Sequence, residues 1–136
     1  MQKCRRSNGN VFALNGKEAR EATLRIYTPE GANNISFCQM CCEPKDWQFM
    51  EVNNLELKPR YYFPQTRVAL CLECSKRFEA LRSNENIRKK YLEAVCNAST
   101  SECGKVEISI GSEETLTFTA KHLAEVQELL KNMPKS

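Results

Sequence analysis

The sequence lacks any long hydrophobic run. A membrane-spanning helix needs about 18 or more consecutive apolar residues, and no stretch of this chain approaches that length. The first residues, from Met1 to Arg6, are basic, but no apolar stretch follows them. The N-terminus therefore does not look like a secretory signal peptide. We expect a cytoplasmic protein with no membrane partner.

Histidine is nearly absent as well, and this limits the available catalytic chemistry. A general base that acts near neutral pH is most often a histidine, and His122 is the only one in the chain. It falls in an amphipathic helical pattern near the C-terminus, where we expect a partly exposed side chain. The sequence has no glycine-rich phosphate-binding loop, and its paired carboxylates, Glu113 and Glu114, fall in a predicted turn. Nothing here indicates a small-molecule substrate.

The net charge is also small. The formal charge is +3 and the pI is near 8.4, below the value of about 9 that marks a dedicated nucleic-acid-binding domain. The distribution is uneven, since residues 38–95 carry ten basic and eight acidic side chains, whereas residues 96–136 carry four and six. This asymmetry permits a phosphate-binding surface in the first part of the chain but does not by itself indicate one.

Cysteine, in contrast, is abundant, with eight residues in 136. In a secreted protein this count would indicate disulfides, whereas in a reducing cytoplasm it indicates a metal site or free thiols. Two C-x-x-C pairs favour the metal site, because each pair places two thiolates on one side of a tight turn. Two such pairs form the tetrahedral four-sulfur site that suits Zn2+. The predicted zinc ligands are Cys38, Cys41, Cys71 and Cys74.

The two cysteine pairs are far apart in the sequence, and four further cysteines lie outside them. Cys41 and Cys71 are 30 positions apart, a longer step than the roughly 15–20 residues of many zinc ribbons. Loop-closure entropy grows only logarithmically with length, so a longer insert is tolerated. A thioredoxin-type redox site would instead need one pair at a helix start within a βαβ pattern. We expect Cys42 to point away from the metal and Cys96 and Cys103 to be free thiols; Cys4 forms no pair either.

The length indicates a single domain over residues 1–136, and no repeat or low-complexity segment divides it. We expect an α+β fold in which a zinc-stapled core, residues 22–98, carries a tail, residues 104–132, packed on it. Within the core, Thr23–Tyr27 is predicted as a strand and Trp47–Leu57 as a strand pair or an irregular hairpin. A short buried strand is predicted from Val68 to Leu70, directly before the second cysteine pair.

Helical and alternating patterns follow in the second half of the chain. Apolar residues recur at intervals of three and four after Ser75 and again after the capping pair Ser83-Asn84, which predicts two consecutive helices. In the tail, apolar residues alternate in two short runs around a turn at Gly111, and Thr119 then caps a further helical pattern. The tail is therefore predicted as a β-hairpin followed by a helix.

From Phe37 to Ser83 the sequence resembles the zinc-bearing HNH nuclease fold, a ββα-metal module of the treble-clef type. The resemblance lies in the first cysteine pair, in the segment Phe49–Leu55, and in Val68–Cys74, which opens a helix. More narrowly, the chain resembles the HNH-like module at the C-terminal end of large bacterial proteins with a sacsin-like ATPase region, and Phe118–Gln127 matches their tail. The resemblance implies a treble-clef core around zinc, with a helix of the kind that lies along DNA.

The residues that carry the chemistry of HNH nucleases are replaced in this chain. The family has a His-His-Ile-like segment after the first cysteine pair, where this sequence reads Val52-Asn53-Asn54-Leu55. Thr66 stands at the position of the family's central asparagine, and Ser75 stands where a metal-binding histidine usually follows the final cysteine. Because asparagine is a poor base and a weak ligand for hard cations, the resemblance implies a module without catalysis.

Three functions remain open on the sequence alone. The first is a non-catalytic module that binds DNA or RNA, the second is a zinc-stabilised structural or protein-interaction domain of a larger protein, and the third is an active metal-dependent endonuclease with substituted residues. Basic side chains after the second cysteine pair favour the first, because they can contact phosphates, although four interspersed glutamates dilute them. We expect Lys76, Arg77 and Arg82 to face solvent. The candidate nucleic-acid-binding residues are Lys76, Arg77, Arg82, Arg88, Lys89 and Lys90.

Overall fold

The computed structural model describes residues 16–57, 64–100 and 104–132. The described part has an α+β fold of four α-helices and three two-stranded antiparallel sheets, and none of these helices is long and apolar enough to cross a membrane. The helices are α1 (Gly16–Ile26), α2 (Leu72–Ser83), α3 (Glu85–Asn97) and α4 (Ala120–Asn132). The strands are β1 (Ile35–Phe37), β2 (Pro44–Asp46), β3 (Met50–Asn54), β4 (Arg67–Cys71), β5 (Lys105–Ser109) and β6 (Thr115–Thr119).

The predicted strand at Thr23–Tyr27 is wrong, because these residues belong to the end of α1 and the turn after it. Ala19, Thr23, Leu24 and Tyr27 are all buried. They stand at i, i+4, i+5 and i+8, which is one face of a helix. A five-residue window contains too little of this period to distinguish it from alternation. The predicted start of the core, residue 22, falls inside the helix for the same reason.

The predicted strand pair at Trp47–Leu57 is also wrong, because its single strand pairs with a distant one. Trp47–Phe49 is a turn of 3-10 helix, and β3 after it pairs with β4, with Met50 opposite Cys71. An alternating pattern shows which face of a strand is buried but not which strand lies beside it. The predicted strand at Val68–Leu70 is confirmed as the buried centre of β4.

The predicted helices after the second cysteine pair and the predicted tail are confirmed. Asn84 ends α2, and its side chain accepts a hydrogen bond of 3.1 Å from the Ile87 N–H at the start of α3. In the tail, β5 and β6 form an antiparallel hairpin. The side chain of Thr119 then accepts a hydrogen bond from the His122 N–H and caps α4. These elements depend on contacts between near neighbours in the chain, which a local pattern reports.

One hydrophobic core joins the tail to the rest of the described chain. Leu24, Leu70, Phe78, Phe118 and Val126 are fully buried members of the same cluster. They come from α1, β4, α2, β6 and α4 respectively. In addition, α3 packs against α2, α4 and β5. Residues 104–132 therefore have no separate core of their own.

His122 lies inside this core, so the expected partly exposed side chain is wrong. It is 1% exposed, and its Nε2 lies 2.8 Å from the Gln65 carbonyl oxygen while its Nδ1 lies 2.6 Å from the Tyr27 hydroxyl. A carbonyl only accepts, so Nε2 carries the proton and Nδ1 accepts from Tyr27. The Tyr27 oxygen in turn accepts a 3.1 Å hydrogen bond from the Thr119 N–H. The ring thus connects the end of α1, the segment before β4, and α4.

Burial also changes the acid–base behaviour of this pair. The loss of hydration lowers the pKa of His122 from 6.5 to about 4, and the hydrogen bond with the Gln65 carbonyl opposes this only in part. Burial likewise raises the pKa of Tyr27 well above its usual value. Both side chains are therefore neutral at physiological pH, and the imidazole acts as a fixed connector.

We predict that acid destabilises the fold through His122. The unfolded chain takes up a proton near pH 6.5 and the folded chain only near pH 4, so the contribution is complete above the first value and is lost as the pH falls to the second. At pH 5 the free energy of unfolding should fall by about 2 kcal/mol relative to neutral pH from this group alone. His122→Gln is neutral at every pH and should lack this component.

Urea unfolding of both proteins at a series of pH values, with excess zinc present, measures the difference. Any loss of metal in acid affects both proteins, so the comparison isolates the imidazole. Identical pH dependence of the two unfolding free energies would contradict the prediction.

Candidate metal centre

The first cysteine pair lies in the tight turn between β1 and β2, residues 38–43, which we name the first knuckle. The Met40 N–H donates to the Cys38 sulfur at 3.4 Å, and the Cys42 N–H donates to the Cys38 carbonyl at 2.9 Å. The turn closes because Cys42 has a φ of 64°, in the left-handed region that few residues other than glycine adopt. This conformation places the sulfurs of Cys38 and Cys41 on one side of the knuckle.

The second cysteine pair, residues 71–74, forms the second knuckle at the junction of β4 and α2. Cys71 is the last residue of β4 and the N-cap of α2, and Cys74 is buried in the first helical turn. Free N–H groups and the helix dipole favour a negative charge at this end of a helix. The position therefore suits thiolate ligands.

Gln39 holds the two knuckles side by side. Its backbone N–H donates to the Ala69 carbonyl at 2.9 Å, and its side-chain Oε1 accepts from the Ala69 N–H at 2.8 Å. Gln39 directly follows Cys38, and Ala69 precedes Cys71 by two residues. The bonds between Gln39 and Ala69 thus bring together two cysteine pairs that are distant in sequence.

The same glutamine also binds the tail. The Thr117 N–H donates to the Gln39 carbonyl at 2.7 Å, and the Gln39 Nε2 donates to the Thr117 carbonyl at 3.1 Å. Gln39, which is 1% exposed, therefore satisfies the peptide groups of Ala69 on β4 and of Thr117 on β6. This role was missed from the sequence, where a glutamine between two cysteines carries no signal of burial.

The four predicted ligands meet in space. The sulfurs of Cys38, Cys41, Cys71 and Cys74 all lie within 4.8 Å of one another, and those of Cys41 and Cys71 are 4.0 Å apart. A disulfide would need about 2.05 Å. Tetrahedral zinc with Zn–S bonds of about 2.3 Å places its sulfurs about 3.8 Å apart. The spacing of the cluster is therefore that of a four-sulfur metal site.

The protonation of this cluster also favours a cation. Burial and the neighbouring thiols raise the pKa of Cys41 to about 11, and the same causes raise the pKa of Cys74. Burial acts to raise the pKa of Cys71 too, but hydrogen bonds from the Cys74 backbone and the neighbouring cysteines lower it overall. The raised pKa values of Cys41 and Cys74 mean that these two thiols do not ionise readily at neutral pH without compensation. A divalent cation supplies that compensation, and the donor set of four sulfurs suits Zn2+.

The remaining cysteines lie away from this cluster where the structure describes them. Cys42 is exposed, and its sulfur is directed at the Thr117 hydroxyl, 3.5 Å away, as predicted for a residue that points away from the metal. Cys96 is half-buried on α3. Cys4 and Cys103 lie outside the described residues. Within the described ranges, the four-cysteine group is the cluster of cysteine, histidine and carboxylate side chains that could hold a metal.

Asn53 and Ser75, at two of the expected catalytic positions, bind each other. Asn53 donates to the Ser75 hydroxyl at 2.9 Å, and that hydroxyl lies 3.3 Å from a carboxylate oxygen of Glu51, to which it donates. Asn53 and Ser75 are both buried. Thr66 is buried as well, and its carbonyl accepts from the Leu55 N–H. None of the side chains of Asn53, Thr66 and Ser75 is a general base.

The basic side chains expected to face solvent do so only in part. Arg82 does not, because it is half-buried, donates to the Asn54 carbonyl at 2.9 Å and lies over the Phe78 ring at 5.8 Å. Arg88 is also half-buried and donates to the Arg82 carbonyl at 2.7 Å. These two guanidinium groups therefore contribute to the packing around α2. The inward position of Arg82 satisfies the Asn54 carbonyl but leaves the buried Nε of Arg82 without a hydrogen-bond partner among the described residues.

The other basic residues of the predicted set are exposed. Lys89 forms a surface ion pair of 3.3 Å with Glu85, whereas Lys76, Arg77 and Lys90 are exposed without an ion pair among the described residues. Arg77 lies directly beside the metal centre, next to Cys41 and Cys74. The basic surface is thus smaller than the sequence indicates.

Searches of protein-family models, curated proteins and solved structures found no match to this chain.

We predict that the purified protein binds one zinc ion per chain through four sulfur ligands. X-ray absorption at the zinc edge should show sulfur at about 2.3 Å and no lighter ligand. Cys38→Ser removes a buried ligand and should abolish stoichiometric zinc binding, whereas Cys42→Ser should retain it, because that sulfur faces Thr117. Metal analysis of the three proteins tests this, and equal zinc loss in both variants would refute the assignment.

Proposed function

We propose that this chain is a zinc-stabilised structural module without hydrolytic activity. The observation that carries the proposal is the convergence of four sulfurs within 4.8 Å of one another. A site with four protein ligands leaves no open position for water or substrate, and such closed sites are structural. Three of the four ligands are also buried.

The expected energy supports a structural role. Zinc binding by four thiolates contributes on the order of 10 kcal/mol of apparent folding free energy, which is comparable to the whole stability of a typical domain, about 5–15 kcal/mol. Gln39 extends the effect, since it follows a ligand directly and hydrogen-bonds both β4 and β6. Zinc in this module therefore stabilises the docking of the tail as well as the two knuckles.

The hydrogen bonds among the polar side chains support the absence of hydrolytic activity. The chain's one histidine has both ring nitrogens in hydrogen bonds inside the core. Asn53, Ser75 and Glu51 are bonded to one another. A general base near neutral pH is most often a histidine that can reach a water molecule, and the buried ring of His122 does not reach solvent.

We also propose that β3, β4 and α2 form a degenerate HNH-like unit. An antiparallel hairpin followed directly by a helix is the ββα order of that fold, and the second cysteine pair stands at the junction with the helix. Asn53 and Ser75, at two of the positions where the family places histidine, lie in contact at 2.9 Å. The arrangement supports descent from an active site whose chemistry has been replaced. Its thiolates need a reducing compartment, which supports a cytoplasmic location.

We predict that zinc removal detaches the tail. In the zinc-loaded protein, the amides of Ala69 and Thr117 should be strongly protected from hydrogen exchange, because both are bound by Gln39. A chelator should abolish the protection of both and remove the cooperative unfolding transition. Cys42→Ser provides the matched control with an intact metal site. Protection of Thr117 that persists after full zinc removal would contradict the structural role.

A second candidate function is non-specific binding of nucleic acid, and one observation favours it. Lys76 and Arg77 are exposed on α2, immediately after the metal centre, where they can contact phosphates. Three features weaken this surface. Arg82 and Arg88 bind the chain's own carbonyls, Glu113 and Glu114 lie beside Arg77, and a zinc ion with four thiolates carries a net negative charge.

Such binding is expected to be electrostatic and steeply dependent on salt. Each phosphate contact on duplex DNA contributes about 0.9 log units of affinity per log unit of salt. A Lys76→Ala, Arg77→Ala double variant should therefore lose affinity and lower the salt slope by about 2, whereas Lys121→Ala with Lys131→Ala on α4 should not. Fluorescence anisotropy with labelled duplex DNA and RNA at two salt concentrations measures this, and added Mg2+ should produce no cleavage. If the parent fails to bind at about 50 mM salt, the structural role stands alone.

A further inference from the structure

One ligand of the metal centre differs from the other three in its access to solvent. Cys41 is exposed, whereas Cys38, Cys71 and Cys74 are buried. The difference follows from the first knuckle, in which Cys38 directly follows β1 and is buried, whereas Cys41 lies in the turn and is exposed. A reagent in solution therefore meets the sulfur of Cys41 before those of the other ligands.

Two clefts lead to this sulfur. One has a volume of about 260 Å3 and the other of about 230 Å3, and Cys41, Cys74 and Arg77 line both. A water-sized molecule occupies about 30 Å3, so each cleft has room for a small oxidant. Phe49 and Leu72, which form the apolar part of the larger cleft, are 51% and 43% exposed and do not close it.

The chemistry at this point is set by the metal. A zinc-bound cysteine is a thiolate at neutral pH, and the thiolate is the reactive form of cysteine toward oxidants. A second thiolate is within reach, because the Cys71 sulfur lies 4.0 Å from that of Cys41. Closing this gap to about 2.05 Å forms a disulfide. The movement needed is about 2 Å.

We propose that Cys41 is the site at which hydroperoxides oxidise this metal centre, and that a disulfide between Cys41 and Cys71 then forms as zinc leaves. The proposal depends on the zinc-stabilised structure proposed above. Cys41 provides the attacking sulfur because it is the exposed ligand. Cys71 provides the second sulfur because it lies opposite Cys41 across the two knuckles.

The reaction balances in two steps. The Cys41 thiolate attacks one oxygen of the hydroperoxide, so that a sulfur–oxygen bond forms, the oxygen–oxygen bond breaks, and hydroxide or alkoxide leaves. The Cys71 thiolate then attacks the Cys41 sulfenic acid, so that the disulfide forms and the second hydroxide leaves. Two thiolates lose two electrons and one hydroperoxide gains them. Cys38 and Cys74 would remain as the only thiolate ligands, and two ligands would not retain the ion.

This disulfide would still connect the two knuckles. The bonds between Gln39 and Ala69 span the same gap, so the cross-link holds their strands close after zinc has gone. Cys38 and Cys74 are released as thiols. Because a dithiol reductant and fresh zinc restore the four ligands, the proposed reaction is a reversible switch rather than damage.

The experiment begins with the full-length, reduced protein after its zinc content has been measured. Hydrogen peroxide is added with a chromogenic zinc chelator, samples are quenched with a thiol-blocking reagent, and tandem mass spectrometry maps the modified residues. We expect zinc release in step with one disulfide, from Cys41 to Cys71, and its reversal by dithiothreitol and zinc. Cys42→Ser, which removes the neighbouring exposed thiol, should release zinc at the rate of the parent.

Two further variants distinguish the exposure of Cys41 to peroxide from the effect of replacing any one cysteine ligand with histidine. Histidine is a zinc ligand that does not form disulfides, and sites with three cysteines and one histidine are common. Cys41→His should therefore lose zinc release at peroxide concentrations that empty the parent, whereas Cys74→His retains Cys41 and should keep it. If neither variant binds zinc, the disulfides mapped in the parent and in Cys42→Ser still show whether Cys41 and Cys71 form the first disulfide.

Each outcome has a distinct meaning. A protein that never holds zinc overturns the proposed function and this inference together. Zinc that stays bound while peroxide oxidises Cys42, or a first disulfide that excludes Cys41, overturns the inference and leaves the structural zinc site intact. The same holds if Cys42→Ser abolishes release.

Discussion

Four sulfurs held within 4.8 Å of one another are the constraint on which the rest of this structure depends. Thiolates at this distance repel one another, and three of the four are removed from water, so the arrangement is unfavourable without a cation. When a divalent ion is bound, the attraction of each thiolate to the cation outweighs the repulsion between thiolates, and the cluster cross-links the two knuckles. The long insert between the pairs is tolerated because the entropic cost of closing a loop rises only slowly with its length.

The constraint reaches beyond the ligands through hydrogen bonds. Gln39 lies in the first knuckle, and its backbone and amide side chain hydrogen-bond both β4 and β6. Unpaired strand edges invite non-specific pairing with other chains, and a buried amide with unsatisfied groups is costly. Gln39 pairs these strand edges and satisfies its own buried amide at the same time. The metal centre, the β3–β4 hairpin and the tail are consequently one mechanical unit.

Polar side chains of the types that carry out catalysis hold this fold together. Tyr27 and His122 are hydrogen-bonded to each other across 95 positions of the chain. Arg82 donates a hydrogen bond to the carbonyl of Asn54. Asn53 and Ser75 are bonded inside the hairpin–helix unit. A group whose hydrogen bonds are satisfied in the interior is positioned for stability and is withdrawn from substrate. This consistent use of polar groups supports the structural role proposed above.

By itself, the sequence determined the features that depend on near neighbours. The C-x-x-C spacing identified the candidate ligands, because each pair forms its own turn, and the period of the apolar residues identified α2, α3 and the hairpin and helix of the tail. The Asn84 cap was readable for the same reason, since it acts over three positions. Local patterns were sufficient wherever the deciding contact was local.

Only the tertiary structure decided the features that depend on distant contacts. The partner of β3, the burial of His122, the inward turn of Arg82 and the bridging role of Gln39 all involve residues that a local window does not contain. The bond from Gln39 to Thr117 spans 78 positions, and nothing in the flanking residues reports it. The greater exposure of Cys41 than of the other three ligands belongs to the same class. It arises because the rest of the fold covers three of the four sulfurs and leaves the outer bend of the first knuckle free.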